Sequence, residues 1–109
     1  MAQSYNGWSN YETWLVNLWM DNEDLQSYWQ DAAADIYKLA ERENRRDDAV
    51  SDLADLMSDY YDAAAEEWMS SQTGMFADMI NSSLREVHWY EIAKHYIDAI
   101  VSEIEAEEA

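Results

Sequence analysis

Apolar residues recur at intervals of three and four positions along most of the chain, and this spacing is the period of an α-helix. Pro is absent and Gly occurs only twice in 109 residues, so few residues interrupt the helical pattern. The alternating pattern of a half-buried strand is not evident. The sequence therefore predicts an all-α protein, one domain over residues 1–109 folded as a compact bundle of four to five helices.

Boundary signals place the helices along the chain. Ser9 followed by Glu12 is typical of a capping box, in which each side chain accepts a backbone N–H at the start of a helix. The run SSQTG at 70–74 predicts a loop, and His88 is a candidate cap for the last helix. The first predicted helix runs from Ser9 to about residue 21, and the second follows it and ends at about residue 43. The third begins at 47–48 and ends before the loop at 70–74. The fourth covers about residues 75 to 84, and the last runs from His88 to an end that we expect to fray over residues 103–109.

The same period predicts which side chains form the core. Six Trp and eight Tyr let a small domain bury a large area per residue. The residues predicted to face the core are Tyr11, Trp14, Leu15, Leu18 and Trp19; Leu25, Tyr28, Trp29, Ala32, Ile36 and Leu39; Val50, Leu53, Met57, Tyr60, Ala64 and Trp68; Phe76, Met79 and Ile80; and Trp89, Ile92, Ala93, Tyr96, Ile100 and Ile104.

The chain is strongly acidic, since 24 acidic residues against six basic ones give a net charge of −18. This balance argues against direct binding to nucleic acid or to an anionic membrane surface. Aromatic residues make up 14% of the sequence, too many for a disordered acidic tail. Without cysteine, disulfides and thiolate metal sites are excluded, and the composition fits a reducing cytoplasm. No run approaches the ~20 apolar residues of a membrane span, and the first residues do not resemble a signal peptide.

The sequence DDAVSDLADLMSDYYDAAAEEW, residues 47–68, carries eight carboxylates and no Lys or Arg. Six of these acids recur in steps of four and three, so a helix places them along one side, with roughly one charge per 5 Å. Like charges at such spacings cost a few tenths of a kcal/mol per pair, and solubility alone does not require a single sign. The six are Asp48, Asp52, Asp55, Asp59, Asp62 and Glu66.

This row of acidic residues indicates a surface that binds a basic partner. Nucleic acid also presents a row of closely spaced, fixed negative charges, so the stripe favours a protein that mimics DNA and blocks a basic groove. A second acidic row, Asp24, Asp31 and Asp35, falls on the preceding helix, but Lys38 and Arg42 interrupt it. A simpler interpretation is that the acids form a solvated helix face that serves solubility.

Candidate catalytic chemistry is sparse. His88, Glu91 and His95 share one side of the last predicted helix, and a carboxylate with two imidazoles is a ligand set that binds divalent metals. Capping by His88 and pairing of Glu91 with Lys94 or His95 explain the same residues without a metal. The sequence has no glycine-rich phosphate loop and no nucleophile motif. We therefore predict no enzymatic activity, no cofactor and no metal site.

Two segments carry a resemblance to known proteins. The run NGWSNYETWLVNLWMDN, residues 6–22, and the run VHWYEIA, residues 87–93, resemble small proteins of bacteriophages and related mobile elements. Those proteins share a GW-x-NYETW-like opening and a V-x-W-x-EIA segment near the end, and the two segments cover about a quarter of this chain. A phage or mobile-element origin favours small proteins that disable host defences. Antirestriction proteins and some anti-CRISPR proteins are acidic DNA mimics, and the likeness to them is in charge only.

Together these observations predict a DNA-mimic inhibitor of a host defence enzyme, of the restriction-modification or CRISPR type, acting in the cytoplasm of a bacterial host. The expected partner is a protein with a basic nucleic-acid-binding surface, with no direct contact to nucleic acid or membrane. The alternative is a small structural or adaptor protein that acts through apolar helix faces, as a homodimer or with another partner, while its acids serve solubility.

Overall fold

Five α-helices make up most of the computed structural model, which describes residues 7–22, 25–68 and 74–108. They are α1 (Tyr11–Asn22), α2 (Leu25–Arg42), α3 (Ala49–Trp68), α4 (Met75–Glu86) and α5 (Trp89–Glu108). A short 3₁₀ turn, Arg46–Asp48, precedes α3. The predicted all-α bundle is confirmed. The predicted loop at 70–73 and the side chain of Trp68 lie outside the described part of the chain.

Local hydrogen bonds explain where the helices begin and end. The side chain of Asn10 accepts the backbone N–H of Thr13 at 2.9 Å, so Asn10 caps α1 and the capping box predicted for Ser9 and Glu12 was wrong. At the end of α2, Asn44 adopts a positive φ of 62°, and the Arg45 N–H donates to the Ala40 carbonyl at 2.7 Å. This arrangement is a Schellman motif, which satisfies the last carbonyls of a helix and reverses the chain.

Three predicted boundaries differ from the observed ones. The third helix begins at Ala49 rather than at 47–48, because the 3₁₀ turn follows the Schellman motif. The fourth helix continues two residues beyond 84, to Glu86. The last helix continues to Glu108, past residue 103 where we predicted that its frayed end begins.

The core lies between α2, α3 and α5, each of which contacts the other two. Its largest fully buried apolar side chains are Trp29, Met20, Leu53, Met57 and Ile92. Much of the remaining core surface is alanine, which lets helices approach closely. The buried alanines are Ala33, Ala40, Ala49, Ala54 and Ala93.

Some residues of α2 and α3 that we predicted to face the core are exposed instead. Tyr28 and Leu39 of α2 are 47% and 45% exposed, and Tyr60 of α3 is 38% exposed. Ala64 is exposed as well. The alanines occupy the centre of the interface, so bulkier side chains lie at its edges. On α5 the predicted face is confirmed, with Ile92, Ala93, Tyr96 and Ile100 buried and Trp89 and Ile104 partly buried.

The buried side of α1 is partly polar. Thr13, Asn17 and Met20 are buried, whereas Tyr11, Leu18 and Trp19 were predicted to face the core and are exposed. The Thr13 hydroxyl and the Asn17 amide nitrogen have hydrogen-bond partners inside the protein, whereas Oδ1 of Asn17 is buried without a partner among the described residues. Trp14 and Leu15 are partly buried.

Helix α4 is the least buried helix. Phe76 and Met79 were predicted to be inward and are 61% and 57% exposed, and Met75 is 65% exposed. Ala77, Ile80 and Leu84 are only partly buried. The main contacts of α4 are with α1 and α3, and the exposure of Met75, Phe76 and Met79 shows that no described residue covers that part of its apolar surface.

Candidate interaction surface on the third helix

Four acidic residues of α3 form a continuous exposed row, which we call the acidic face: Asp55, Asp59, Asp62 and Glu66. Steps of four, three and four residues keep them on one side of the helix, opposite the buried Leu53 and Met57. The row is about 17 Å long at 1.5 Å per residue, with one charge every ~5 Å. No ion pair or hydrogen bond joins these four carboxylates to any residue that the structure describes. The acidic face is therefore a set of uncompensated charges.

The other two predicted acids of the stripe are paired. Arg45 donates to Asp48 at 3.2 Å and to Asp52 at 3.5 Å, and it also pairs with Glu43 at 2.7 Å. Asp48 lies in the 3₁₀ turn rather than in α3, and Asp52 is partly buried. Hydrogen bonds to Glu43 and Asp48 raise the pKa of Arg45. The first turn of the predicted stripe is therefore partly neutralised.

The second predicted acidic row does not extend the acidic face. Asp31 and Asp35 are exposed on α2, and Asp24 lies outside the described residues. Asp31 instead lines a cavity of about 300 Å³ between α2 and α5, together with Asp21 and Glu103. The two rows therefore belong to different sides of the bundle.

Basic residues are concentrated at one end of the α2–α3 hairpin. Lys38, Arg42, Arg45 and Arg46 all lie within residues 38–46. The rest of the chain has 22 acidic and two basic residues. The acidic face lies further along α3, away from this basic cluster, so few positive charges lie near it in the sequence.

The segments 6–22 and 87–93 meet in space, where residues at the starts of α1 and α5 form hydrogen bonds. The Glu91 carboxylate accepts the Ser9 backbone N–H at 3.2 Å and the Ser9 hydroxyl at 2.8 Å. The His88 backbone N–H donates to the Thr13 hydroxyl at 2.9 Å, and the Asn10 amide donates to the Glu86 carbonyl at 2.7 Å. We call this set of bonds the terminal clasp. These side chains therefore hold the start of α1 against the start of α5.

The candidate metal ligands have other roles. Nδ1 of His88 lies within hydrogen-bond distance of the Ser9 hydroxyl, and Glu91 is held by the same serine. The His95 ring packs edge-on against Trp8, with ring centroids 5.4 Å apart. The described part of the chain contains no group of three or more such side chains arranged to hold a metal ion.

A buried polar network at Tyr96 was not predicted from the sequence. The Tyr96 hydroxyl donates to one Asp21 oxygen at 2.9 Å, and the Asn17 amide donates to the other at 3.1 Å. Burial raises the pKa of Tyr96, and the hydrogen bond to Asp21 raises it further. The signal in the sequence was the recurrence of polar residues every fourth position, at Thr13, Asn17 and Asp21, inside an otherwise aromatic helix.

A protein-family model described as a family of unknown function (DUF7249) matches residues 1–109, so the chain belongs to this family. None of the curated proteins and none of the solved structures matches the chain. Across the described ranges, no helix is both long enough and apolar enough to span a bilayer.

Proposed function

We propose that the chain, as a member of the DUF7249 family, is a DNA mimic that occupies the basic nucleic-acid-binding groove of a protein partner and blocks it. The acidic face of α3 is the observation that carries this proposal. The partner is a host defence enzyme of the restriction-modification or CRISPR type, in the cytoplasm of a bacterial host. The resemblance of the two terminal segments to proteins of phages and mobile elements supports that choice of partner.

The spacing of the acidic face suits a groove built for phosphates. One strand of duplex DNA presents a charge about every 3.4 Å, and the acidic face presents one about every 5 Å. Lys and Arg side chains are long enough to adjust to this difference. Complementary charge of this kind steers the partner during encounter and then gives carboxylate–guanidinium pairs.

The packing of α3 supports the proposal because it holds the charges in place before binding. Leu53 and Met57 are fully buried on the opposite side of the helix. The repulsion among the carboxylates is therefore overcome on folding, and a basic partner relieves it. A preorganised row loses less conformational entropy on binding than a flexible acidic tail.

The test is capture of partners from a bacterial lysate on the immobilised protein, followed by elution with duplex DNA or with stepped salt. DNA mimicry predicts that nucleic-acid enzymes are enriched, that duplex DNA releases them, and that binding weakens steeply with salt. A triple variant, Asp55→Lys, Asp59→Lys and Asp62→Lys, should lose capture.

A matched control is the triple variant Glu103→Lys, Glu105→Lys and Glu107→Lys, which changes the net charge equally at the end of α5. It should retain capture. Equal loss in both variants would mean that net charge alone drives binding. Absence of any nucleic-acid-binding protein among the captured proteins would contradict the proposal.

A second candidate, an adaptor acting through apolar helix faces, is favoured by the exposure of Met75, Phe76 and Met79 on α4. Such an adaptor would bind its partner with weak salt dependence. Phe76→Ser combined with Met79→Ser would abolish that binding, whereas the triple charge reversal on α3 would not.

A further inference from the structure

An exposed apolar patch lies between α2 and α3, beside the acidic face. It consists of Tyr28, Leu56 and Tyr60, which we call the aromatic seam. These side chains are 47%, 39% and 38% exposed. The Tyr28 and Tyr60 rings are 5.9 Å apart, and Leu56 lies one turn before Tyr60 on the same side of α3. The three side chains therefore form one contiguous surface.

The aromatic seam lies where two antiparallel helices meet. The short connection between α2 and α3 makes the helices antiparallel neighbours. Tyr28 near the start of α2 accordingly contacts Tyr60 in the second half of α3. The surface along two packed helices can accept a further helix, whose side chains at every third or fourth position fit between the two rows.

Acidic residues border the seam on α3. Asp59 precedes Tyr60 and is one turn from Leu56, and Asp52 is one turn before Leu56. An apolar strip bordered by carboxylates is complementary to a helix that has an apolar strip bordered by Lys and Arg. Arg side chains gain further from the exposed tyrosine rings, through cation–π contacts.

We infer that the aromatic seam binds an amphipathic basic helix of the partner, with apolar side chains over Tyr28, Leu56 and Tyr60 and with Lys or Arg at Asp59 and the neighbouring carboxylates of the acidic face. This inference rests on the proposed function, since the partner is the same basic protein. It adds that the contacting element is helical and that apolar contact contributes to specificity. A surface that only imitates phosphates would need no such contact.

The test uses two synthetic peptides of identical composition. One is an 18-residue peptide of Leu, Ala, Lys and Arg in which Leu recurs every third or fourth position, and the other is a scrambled isomer without an apolar side. Fluorescence anisotropy at 0.15 M salt measures their affinities for the intact protein. The amphipathic peptide should bind at least tenfold more tightly than its isomer.

Two variants locate the site. Tyr28→Ser combined with Leu56→Ser should reduce the preference for the amphipathic peptide to less than threefold. Leu56→Asn alone, at an exposed position that leaves the aromatic contacts intact, should weaken the preference in the same direction. The matched control Phe76→Ser combined with Met79→Ser removes two even more exposed apolar side chains from α4 and should retain the full preference.

Equal affinity for the two peptides, failure of both to bind, or an unchanged preference in Leu56→Asn would overturn the inference. These outcomes leave the proposed function standing if Asp55→Lys, Asp59→Lys and Asp62→Lys still abolish DNA-competed capture. If that triple variant keeps its partner, the proposed function fails, whatever the peptides show.

Discussion

Individual polar side chains join the starts of α1 and α5 in the terminal clasp. Ser9 and Glu91 are 82 positions apart, and Thr13 and His88 are 75 apart. A net contribution of about 1 kcal/mol per hydrogen bond makes the clasp a substantial part of the stability of a small domain. Asn10, Thr13 and Glu91 are thereby assigned a structural role.

The clasp is tested by comparing Glu91→Ala with Glu12→Ala. Both remove a carboxylate from the first turn of a helix, but only Glu91 accepts the bonds of Ser9. We expect Glu91→Ala to lower the free energy of unfolding by about 1 kcal/mol more than Glu12→Ala does. Urea unfolding followed by circular dichroism measures the difference. Equal effects would contradict the role assigned to Glu91 and would indicate that the Glu12 carboxylate stabilises the start of α1 to the same extent.

The Tyr96–Asp21 bond predicts a dependence of stability on pH. Tyr96→Phe should lower the free energy of unfolding by about 2 kcal/mol at pH 8, because the bond is to a charged acceptor. The folded pKa of Tyr96 is raised, so its stabilisation is complete below the unfolded pKa of about 10 and is lost as the pH rises above that value.

The gap between the native protein and the Phe variant should therefore shrink by about 1 kcal/mol between pH 8 and pH 10.5. Urea titrations of both proteins at the two pH values give this gap. The other tyrosines titrate in both proteins, so their effect on the free energy of unfolding cancels when the two values are subtracted. A gap of the same size at both pH values would mean that Tyr96 ionises as readily in the folded protein as in the unfolded one.

At the scale of helices, periodicity predicted where each helix runs but not which apolar surfaces are covered. The face of α5 was predicted correctly, since α5 contacts both α2 and α3 and most of its apolar side chains find neighbours. On α4 the same pattern failed, because Phe76 and Met79 lie where no described helix packs. A single sequence gives the direction of an apolar face, whereas burial depends on the tertiary arrangement of the other helices.

The prediction of the acidic stripe was also only partly correct. Helical spacing correctly placed Asp55, Asp59, Asp62 and Glu66 on an exposed side. It did not predict that Arg45 pairs with Asp48 and Asp52. That pairing depends on the Schellman motif, which turns the chain so that a residue beyond α2 reaches the start of α3.

Repulsion within the acidic face predicts that charge reversal stabilises α3. Asp59 lies one turn from both Asp55 and Asp62, so Asp59→Lys converts two repulsive pairs into attractive ones. We expect the free energy of unfolding to rise by a few tenths of a kcal/mol per pair at low salt. The control Asp98→Lys, which breaks the ion pair with Lys94, should lower it. A fall in stability for Asp59→Lys would mean that its carboxylate has a favourable interaction in the folded protein.

For the whole molecule, the net charge of −18 acts against folding, because the folded chain brings its acids closer together than the unfolded chain does. The molecule measures 53 × 34 × 25 Å. Four of its six basic residues lie within residues 38–46, so few positive charges offset the acidic residues in the rest of the chain. The aromatic core must overcome this repulsion, and salt should assist it.

The melting temperature should rise by several degrees between about 10 mM and 0.5 M NaCl. The Debye length falls from roughly 30 Å to less than 10 Å over this range, which removes most of the repulsion between exposed carboxylates. For a domain near this size, 1 kcal/mol corresponds to a shift of roughly 4–8 °C. The triple variant Asp55→Lys, Asp59→Lys and Asp62→Lys separates screening from general salt effects on hydration, since it should show a smaller rise. An equal rise in both proteins would assign the effect to hydration, and an unchanged melting temperature in the native protein would show that its surface is not strongly self-repelling.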